Sequence, residues 1–342
     1  MKKIIAVFAI LTVALFYSGC DRSRPARGEG GLQVVATIFP QFDFVRQIAG
    51  DRVELTMLLS PGAESHGFEP TPRDIITINN ADLLIYVGGH GDVWVGPIIA
   101  SLGREDLRTV ALLDLVEVVE QEPVNPLEEE HHHGHDHHHS HDHGHHHHGH
   151  SHHHGHHTHH HHHDHEHHYD EHVWTCPRNA ILIVRALTET LAELDPDNAY
   201  FFRGNAAAFI AELEELDRAF AYVAANATRT TVVFGDRFPF RYLTDTYGLT
   251  PFAAFTGCSA ETQASPATIA FLIETVRQEN IPAIFHIEFS NRLIANVIAE
   301  ATGARLLELH SLHNVSHADF NAGVTYLDLM RRNVETLREA LN

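Results

Sequence analysis

Single histidines at the ends of predicted strands are the residues of this sequence that could bind a metal ion. His66 follows the second predicted strand, His286 ends a later one, and His310 and His313 follow the last. In open α/β sheets, side chains at the carboxyl ends of the strands line the ligand crevice. A lone histidine is more often a hydrogen-bonded loop residue, but several at such positions favour a metal site because imidazole is a common metal ligand.

A histidine-rich run occupies residues 131–168, and all but seven of the 34 histidines lie in it. The run is internal and interrupted by Gly, Ser, Asp and Glu, so we interpret it as native and not as a purification tag. Its low complexity cannot form a packed core and predicts disorder. Tethered imidazoles would bind metal weakly at many sites, raise its local concentration, and lose it below roughly pH 6.

Two other functions are compatible with so much histidine. The letters "HHHHDH" from His160 fit a pattern of binuclear zinc hydrolases, but such a match is expected by chance in this run. Neither Gly-x-Ser-x-Gly nor His-Glu-x-x-His is present, and we predict that the protein is not an enzyme. A metal store would lose nearly all of its capacity without the run, whereas a receptor would keep one tight site.

Composition limits the class of partner. The chain has 342 residues, is 44% hydrophobic and carries a formal charge of -22, so it can form two domains and is unsuited to nucleic acid. Cations are the natural ligands. Its lysines are Lys2 and Lys3, both in the predicted leader, which excludes a P-loop lysine or a lysine Schiff base in the mature chain.

The N-terminus is typical of an exported protein. Two lysines precede 13 apolar residues, Ile4 to Phe16, which are too few for a membrane span of about 20. The following "YSGC" resembles a lipoprotein cleavage site, with residues 1–20 as signal peptide and Cys20 as the lipid-bearing residue; an ordinary secretory signal is the alternative. Residues 21–31 would form a flexible tether. Whether Cys176 and Cys258 pair remains open.

Apolar runs alternate with amphipathic segments in both halves of the chain, which predicts two α/β lobes with parallel sheets. The first lobe spans residues 32–195 and contains the histidine-rich loop at about 120–171, and the second spans 227–342. Between them, residues 196–226 predict one long helix, because apolar residues recur every three or four positions. Thr71, Ser265 and Ser316 are predicted helix N-caps, the last beginning a single final helix.

The order of motifs resembles the zinc and manganese substrate-binding proteins of ABC importers, which include ZnuA-type zinc receptors. The stretches that carry it are "PGAESHGFEPTPRDI", "ADLLIYVGG", the histidine-rich loop and "DEHVWTCPRNA". The resemblance implies two lobes joined by a long rigid helix, with a metal ion in the cleft between them. It also implies a membrane permease with a cytoplasmic ATPase as partner, and an extracytoplasmic receptor that is lipid-anchored or periplasmic. We expect a monomer.

The same resemblance implies a set of metal ligands. His66 and His172 match the first two ligands of the family. At the third the sequence departs, because Arg237 cannot bind a cation and Asp236 is the nearest donor. His310 stands where much of the family has an aspartate, with His313 close by and His286 as a further ligand or supporting residue.

The donor types favour zinc. Neutral imidazoles with one carboxylate suit tetrahedral Zn²⁺, whereas Mn²⁺ prefers more oxygen ligands. We therefore predict a high-affinity zinc receptor that uses His66, His172, Asp236 and His310, with the histidine-rich loop as an auxiliary collector. The alternatives are a manganese receptor of the same family and a histidine-rich metal store.

Overall fold

The computed structural model describes residues 31–64, 67–124, 169–257 and 264–342. Several of the predictions above concern other residues and so lie outside the described part of the chain. They are the signal peptide with Cys20, most of the tether, the histidine-rich run, His66 and Cys258.

The first lobe contains a sheet of parallel strands in the order β2-β1-β3-β4. Its strands are β1 (Leu32–Ala36), β2 (Val53–Met57), β3 (Leu83–Tyr86) and β4 (Arg108–Ala111). Helices α1 (Phe39–Ala49), α2 (Pro72–Asn80) and α3 (Val95–Leu102) connect them. Thr71 begins α2 as predicted, because its hydroxyl accepts a hydrogen bond from the backbone N–H of Asp74.

Two antiparallel helices follow. Helix α4 (Pro177–Leu194) ends before Pro196, and α5 (Ala199–Ala225) continues for 27 residues, or about 40 Å at 1.5 Å per residue. This is the long helix that the spacing of apolar residues predicts. It packs against α4 and α1, and Gly204 does not interrupt it because it lies on the exposed side.

The second lobe repeats the arrangement of the first, with parallel strands in the order β6-β5-β7-β8. Its strands are β5 (Thr231–Phe238), β6 (Thr250–Thr256), β7 (Ala283–His286) and β8 (Arg305–Glu308). Helices α6 (Arg241–Tyr247), α7 (Pro266–Gln278) and α8 (Leu293–Thr302) accompany them. The prediction of two lobes with parallel sheets is confirmed.

The C-terminal segment differs from the prediction of one final helix. A short helix α9 (His317–Asn321) begins at Ser316, and a second helix α10 (Tyr326–Leu341) begins at Thr325. Gly323 lies between them with φ of 73°, a left-handed conformation that glycine adopts readily and that ends a helix. Thr325 and Asp328 then form a capping box that starts α10, which packs on α5.

Alternate strand residues face different apolar clusters. In the first sheet, Val34 and Leu83 face a central cluster, whereas Val35 and Leu84 face an outer one. In the second sheet, Phe234 faces the central cluster and Val233 an outer one. The central cluster contains residues of both lobes, α4 and α5, so the two lobes share one core. Among the described helices, none is both long and apolar enough to cross a membrane.

Candidate metal site

His172 is held in a single orientation by Asp170. The Asp170 carboxylate lies 2.9 Å from His172 Nδ1 and accepts the His172 backbone N–H at 2.9 Å. Both residues are buried. A carboxylate can only accept, so the neutral imidazole carries its proton on Nδ1 and its lone pair on Nε2. That nitrogen is the one that a metal ion would contact.

His313 approaches His172 from the second lobe. The two rings are nearly perpendicular, with centroids 4.8 Å apart, and the Trp174 ring packs against both. The Trp174 indole N–H donates to the backbone carbonyl of Ser311 at 2.9 Å, and this bond ties the two loops together. The structure thus brings two imidazoles, one from each lobe, into ring contact.

Asp236 lies at a bulge near the end of β5. Phe234 pairs with Ala253 and Arg237 with Phe255, so β5 has one residue more than β6 over this stretch. The buried Asp236 carboxylate accepts the backbone N–H of Arg237 at 2.9 Å. Because β5 and β7 are neighbours in a sheet whose chain order reverses there, Asp236 occupies the crevice position expected of a ligand site.

A small cavity lies beside Asp236 and His313, and His172 packs against His313 at its edge without lining it. The volume of the cavity is about 40 Å³, which is enough for a single ion or water. Residues of both lobes line it: Ala63, Glu64, Asp236, Arg237, Ile287, Glu288, Phe289, Ser290, Ser311, His313 and Asn314. A second cavity of about 240 Å³ shares Glu64, Asp236 and Arg237 with it, so these side chains separate the small cavity from the larger one.

The loop that carries His66 is fastened to the segment after His313. The Asn314 side chain donates to the carbonyls of Ser60 and Ala63 at 2.7 and 2.8 Å, and the N–H of Gly62 donates to the carbonyl of Val315 at 2.8 Å. Glu64, two residues before His66, lines the cavity. His66 itself lies outside the described residues.

The Nδ1 atoms of His310 and His286 both form hydrogen bonds with backbone groups. His310 Nδ1 accepts the backbone N–H of Leu312 at 3.0 Å, so the neutral ring carries its proton on Nε2 and offers no lone pair there. His286 is buried, and its Nδ1 lies 3.0 Å from the carbonyl oxygen of Ile287. His313 lines the cavity, and His310 is not among the residues that line it.

Glu288 and Ser311 line the cavity, and neither was among the site residues predicted from the sequence. Glu288 accepts hydrogen bonds from Ser311 through both carboxylate oxygens, from the backbone N–H at 2.6 Å and from the hydroxyl at 2.5 Å. Glu288 comes just after β7, and side chains that follow the carboxyl end of a strand are candidates for the ligand crevice, so its position in the sequence could have indicated it. Within the described ranges, which omit His66, no three His, Cys, Asp or Glu side chains already form a group able to hold an ion.

Cys176 is a buried free thiol, and its sulfur lies 3.3 Å from the Thr246 hydroxyl oxygen.

Residues 34–340 match the family described as "Zinc-uptake complex component A periplasmic". The chain belongs to this family. It is a family of zinc-uptake components and not of enzymes, which agrees with the sequence-based prediction.

Individual relatives agree with this assignment. The chain is 30% identical to the zinc-binding lipoprotein AdcA of Streptococcus pneumoniae over 344 residues, which cover 99% of this chain and 61% of AdcA. It therefore spans less than two thirds of that relative. It is 29% identical to the high-affinity zinc uptake system protein ZnuA of Bacillus subtilis, covering 99% of this chain and 96% of ZnuA.

A solved structure supports the fold. The Zn(II)-bound ZnuA-like domain of Streptococcus pneumoniae AdcA superposes with a TM-score of 0.68 at 26% identity, over 91% of this chain and 99% of the domain. The two-lobed architecture is thus the architecture of a known zinc-binding domain.

Proposed function

We propose that this protein is an extracytoplasmic receptor that captures Zn²⁺ with high affinity and delivers it to an ABC import permease. The observation that carries the proposal is the pair of imidazoles from opposite lobes, with centroids 4.8 Å apart. Family membership supports the transport role, and the names of the relatives support zinc as cargo. The receptor would work with a membrane permease and a cytoplasmic ATPase.

The ligands we propose are His172 and His313 through Nε2, Asp236 through its carboxylate, and His66 from the first lobe. Three imidazoles and one carboxylate match the tetrahedral donor set that zinc favours at about 2.0–2.2 Å. This set replaces His310 with His313, because the lone pair of His310 Nδ1 is taken by the Leu312 N–H. Manganese would require more oxygen donors, so preference for Mn²⁺ over Zn²⁺ in competition would contradict the proposal.

The histidine-rich run at 131–168 serves in this proposal as an auxiliary collector of weakly bound zinc. The proposal also includes a lipid anchor at Cys20 and a monomeric receptor. Relatives named lipoprotein and periplasmic support an extracytoplasmic location. Equal rates of zinc loading with and without residues 131–168, measured by stopped-flow fluorescence, would contradict the collecting role.

The ligand set can be tested with two histidines that lie three residues apart. Zinc occupancy is measured in chelator buffers at nanomolar free zinc and below, where weak sites of the run stay empty. We expect His313→Ala to weaken the tight site by at least about 100-fold, since loss of a ligand costs more than the 10–100-fold typical of its supporting partners. His310→Ala is the matched control and should bind within a few-fold of the wild type.

If His310→Ala weakened zinc binding more than His313→Ala did, the result would support the sequence-based ligand set, which includes His310. A wild-type chain that binds no zinc in these buffers would contradict the receptor function itself. Loss of all zinc capacity on deletion of the run would instead support a metal store.

A further inference from the structure

Glu288, Ser311 and His313 form a continuous chain of hydrogen bonds beside the cavity. The two Glu288 oxygens lie 2.6 Å from the backbone N of Ser311 and 2.5 Å from its hydroxyl oxygen. The same hydroxyl lies 2.8 Å from His313 Nδ1. Glu288 and Ser311 are both buried, so bulk water does not compete strongly for these bonds.

The chemistry of the three groups fixes the direction of this chain. A carboxylate has no proton to donate, so the Ser311 hydroxyl must donate its proton to Glu288. That hydroxyl can then only accept from His313, and Nδ1 of His313 must carry the ring proton. The lone pair of the neutral imidazole therefore lies on Nε2, as it does in His172 beside Asp170.

His310, three residues before His313, has the opposite tautomer. His310 Nδ1 accepts a backbone N–H and so bears the lone pair, even though Glu288 is also near it at 3.7 Å, too far for a hydrogen bond. Leu312, between the two histidines, has φ of 66°, an uncommon left-handed conformation for a branched side chain. One short turn thus holds two imidazoles with their lone pairs on different nitrogens.

We propose that Glu288 and Ser311 are positioning residues that fix the tautomer of His313 for zinc. The inference rests on the proposed function, since it assigns His313 as a ligand. Both oxygens of Glu288 accept hydrogen bonds from Ser311, whose hydroxyl in turn accepts from His313, so the carboxylate acts on the imidazole through the serine. The negative charge of Glu288 makes Nε2 of His313 a stronger metal ligand, as carboxylates that hydrogen-bond to metal-bound histidines do.

A double-mutant cycle on the full chain tests this inference. Zinc affinity is measured in the same chelator buffers for Ser311→Ala, His313→Ala and the double variant, with thermal unfolding as a check on folding. We expect Ser311→Ala to weaken binding about 10–100-fold in the wild-type background. In the His313→Ala background the same change should alter affinity less than about 3-fold, because its partner is gone.

Thr188→Val is the matched control, since it also removes a buried hydroxyl, but that hydroxyl donates to the carbonyl of Val184 within α4, away from the cavity. It should leave the affinity unchanged, and Ser311→Thr, which keeps the hydroxyl, should restore most of the loss. Glu288→Gln retains the shape of the side chain and should weaken binding about 10-fold, which keeps the test decisive if Ser311→Ala does not fold.

An effect of Ser311→Ala no larger than that of Thr188→Val would overturn the relay and leave the receptor function standing. Equal losses from Glu288→Gln in both backgrounds would also overturn it, because Glu288 would then bind the ion directly. A wild-type chain without a tight site would overturn both the relay and the proposed function.

Discussion

At the scale of single residues, the site is defined by which nitrogen of each histidine carries a proton. Asp170 fixes His172, and Ser311 fixes His313, while the Leu312 N–H directs His310 the other way. The first pair could be predicted from the sequence, since Asp170 and His172 stand two residues apart in one motif. The choice between His310 and His313 could not, because Glu288 and Ser311 are 23 positions apart and meet only in the folded chain.

Asp92 gives a residue-scale prediction on pH. Burial, with a smaller contribution from the charge of Glu171, raises the pKa of Asp92 to about 6 despite hydrogen bonds from the backbone N–H groups of Val87 and Gly88. The folded state thus binds this proton more tightly than the unfolded state, whose carboxyl has its ordinary value of 3.8. The contribution of Asp92 to stability is fully present below about pH 4 and is lost as the pH rises through 6.

We therefore expect Asp92→Asn to gain stability relative to the wild type as the pH is raised from 4 to 7.5. The expected gain is about 1–2 kcal/mol, because the half-buried side chain keeps some contact with water. Urea unfolding at the two pH values measures it, and Asp51→Asn, at a highly exposed aspartate, is the control. A difference between Asp92→Asn and wild type that does not change with pH would contradict this account.

At the scale of elements, strand and helix positions followed from the sequence more fully than the site did. The alternation of apolar runs with amphipathic segments predicted the parallel sheets of both lobes, and the spacing of apolar residues predicted α5. The bulge in β5 was not predicted, because an extra residue in one strand depends on its pairing with β6. That bulge decides how Asp236 and Arg237 are presented, which is where the sequence departs from the family pattern.

Gly235, at this bulge, gives an element-scale prediction. A Cβ there would lie 2.4 Å from the Cα of Ala295, so Gly235→Ala must push α8 away from β5. We expect a loss of stability of about 1–3 kcal/mol, the usual cost of overpacking a core, together with weaker zinc binding because Asp236 is adjacent.

Gly204→Ala is the matched control for this substitution. Gly204 lies in α5, where an added Cβ meets nothing within 4 Å, so alanine should stabilise the protein by about 0.5–1 kcal/mol. Thermal unfolding distinguishes the two variants. Equal effects of the two glycine substitutions would show that β5 and α8 are not in the close contact described.

At the scale of the whole molecule, the two lobes are joined by more than the long helix. They share one apolar core, and polar contacts cross between them near the cavity. Tyr242 of the second lobe donates to the carbonyl of Asp170 at 2.7 Å, and Arg237 pairs with Glu64 at 2.7 Å. The Arg237–Glu64 pair joins one residue of each lobe, and both residues line the small and the larger cavity.

We expect Glu64→Gln to raise the rate of zinc release about 1.5- to 5-fold. The change is small because Glu64 is largely exposed, and exposed ion pairs contribute about 0.2–1 kcal/mol. Stopped-flow mixing of loaded protein with excess chelator measures the rate, and the effect should diminish in high salt. Glu189→Gln, which breaks an exposed pair with Arg203 between α4 and α5, should leave the rate unchanged. Similar rates for Glu64→Gln and wild type at low salt would show that the pair does not hold the lobes together.

Anomalous diffraction at the zinc edge from crystals of the zinc-loaded chain tests the central claim most directly. We predict one dominant peak in the cleft between the lobes, about 2.0–2.2 Å from Nε2 of both His172 and His313, with Asp236 and His66 completing the coordination. Zinc bound by His310 in place of His313, or peaks confined to residues 131–168 with the cleft empty, would contradict the account.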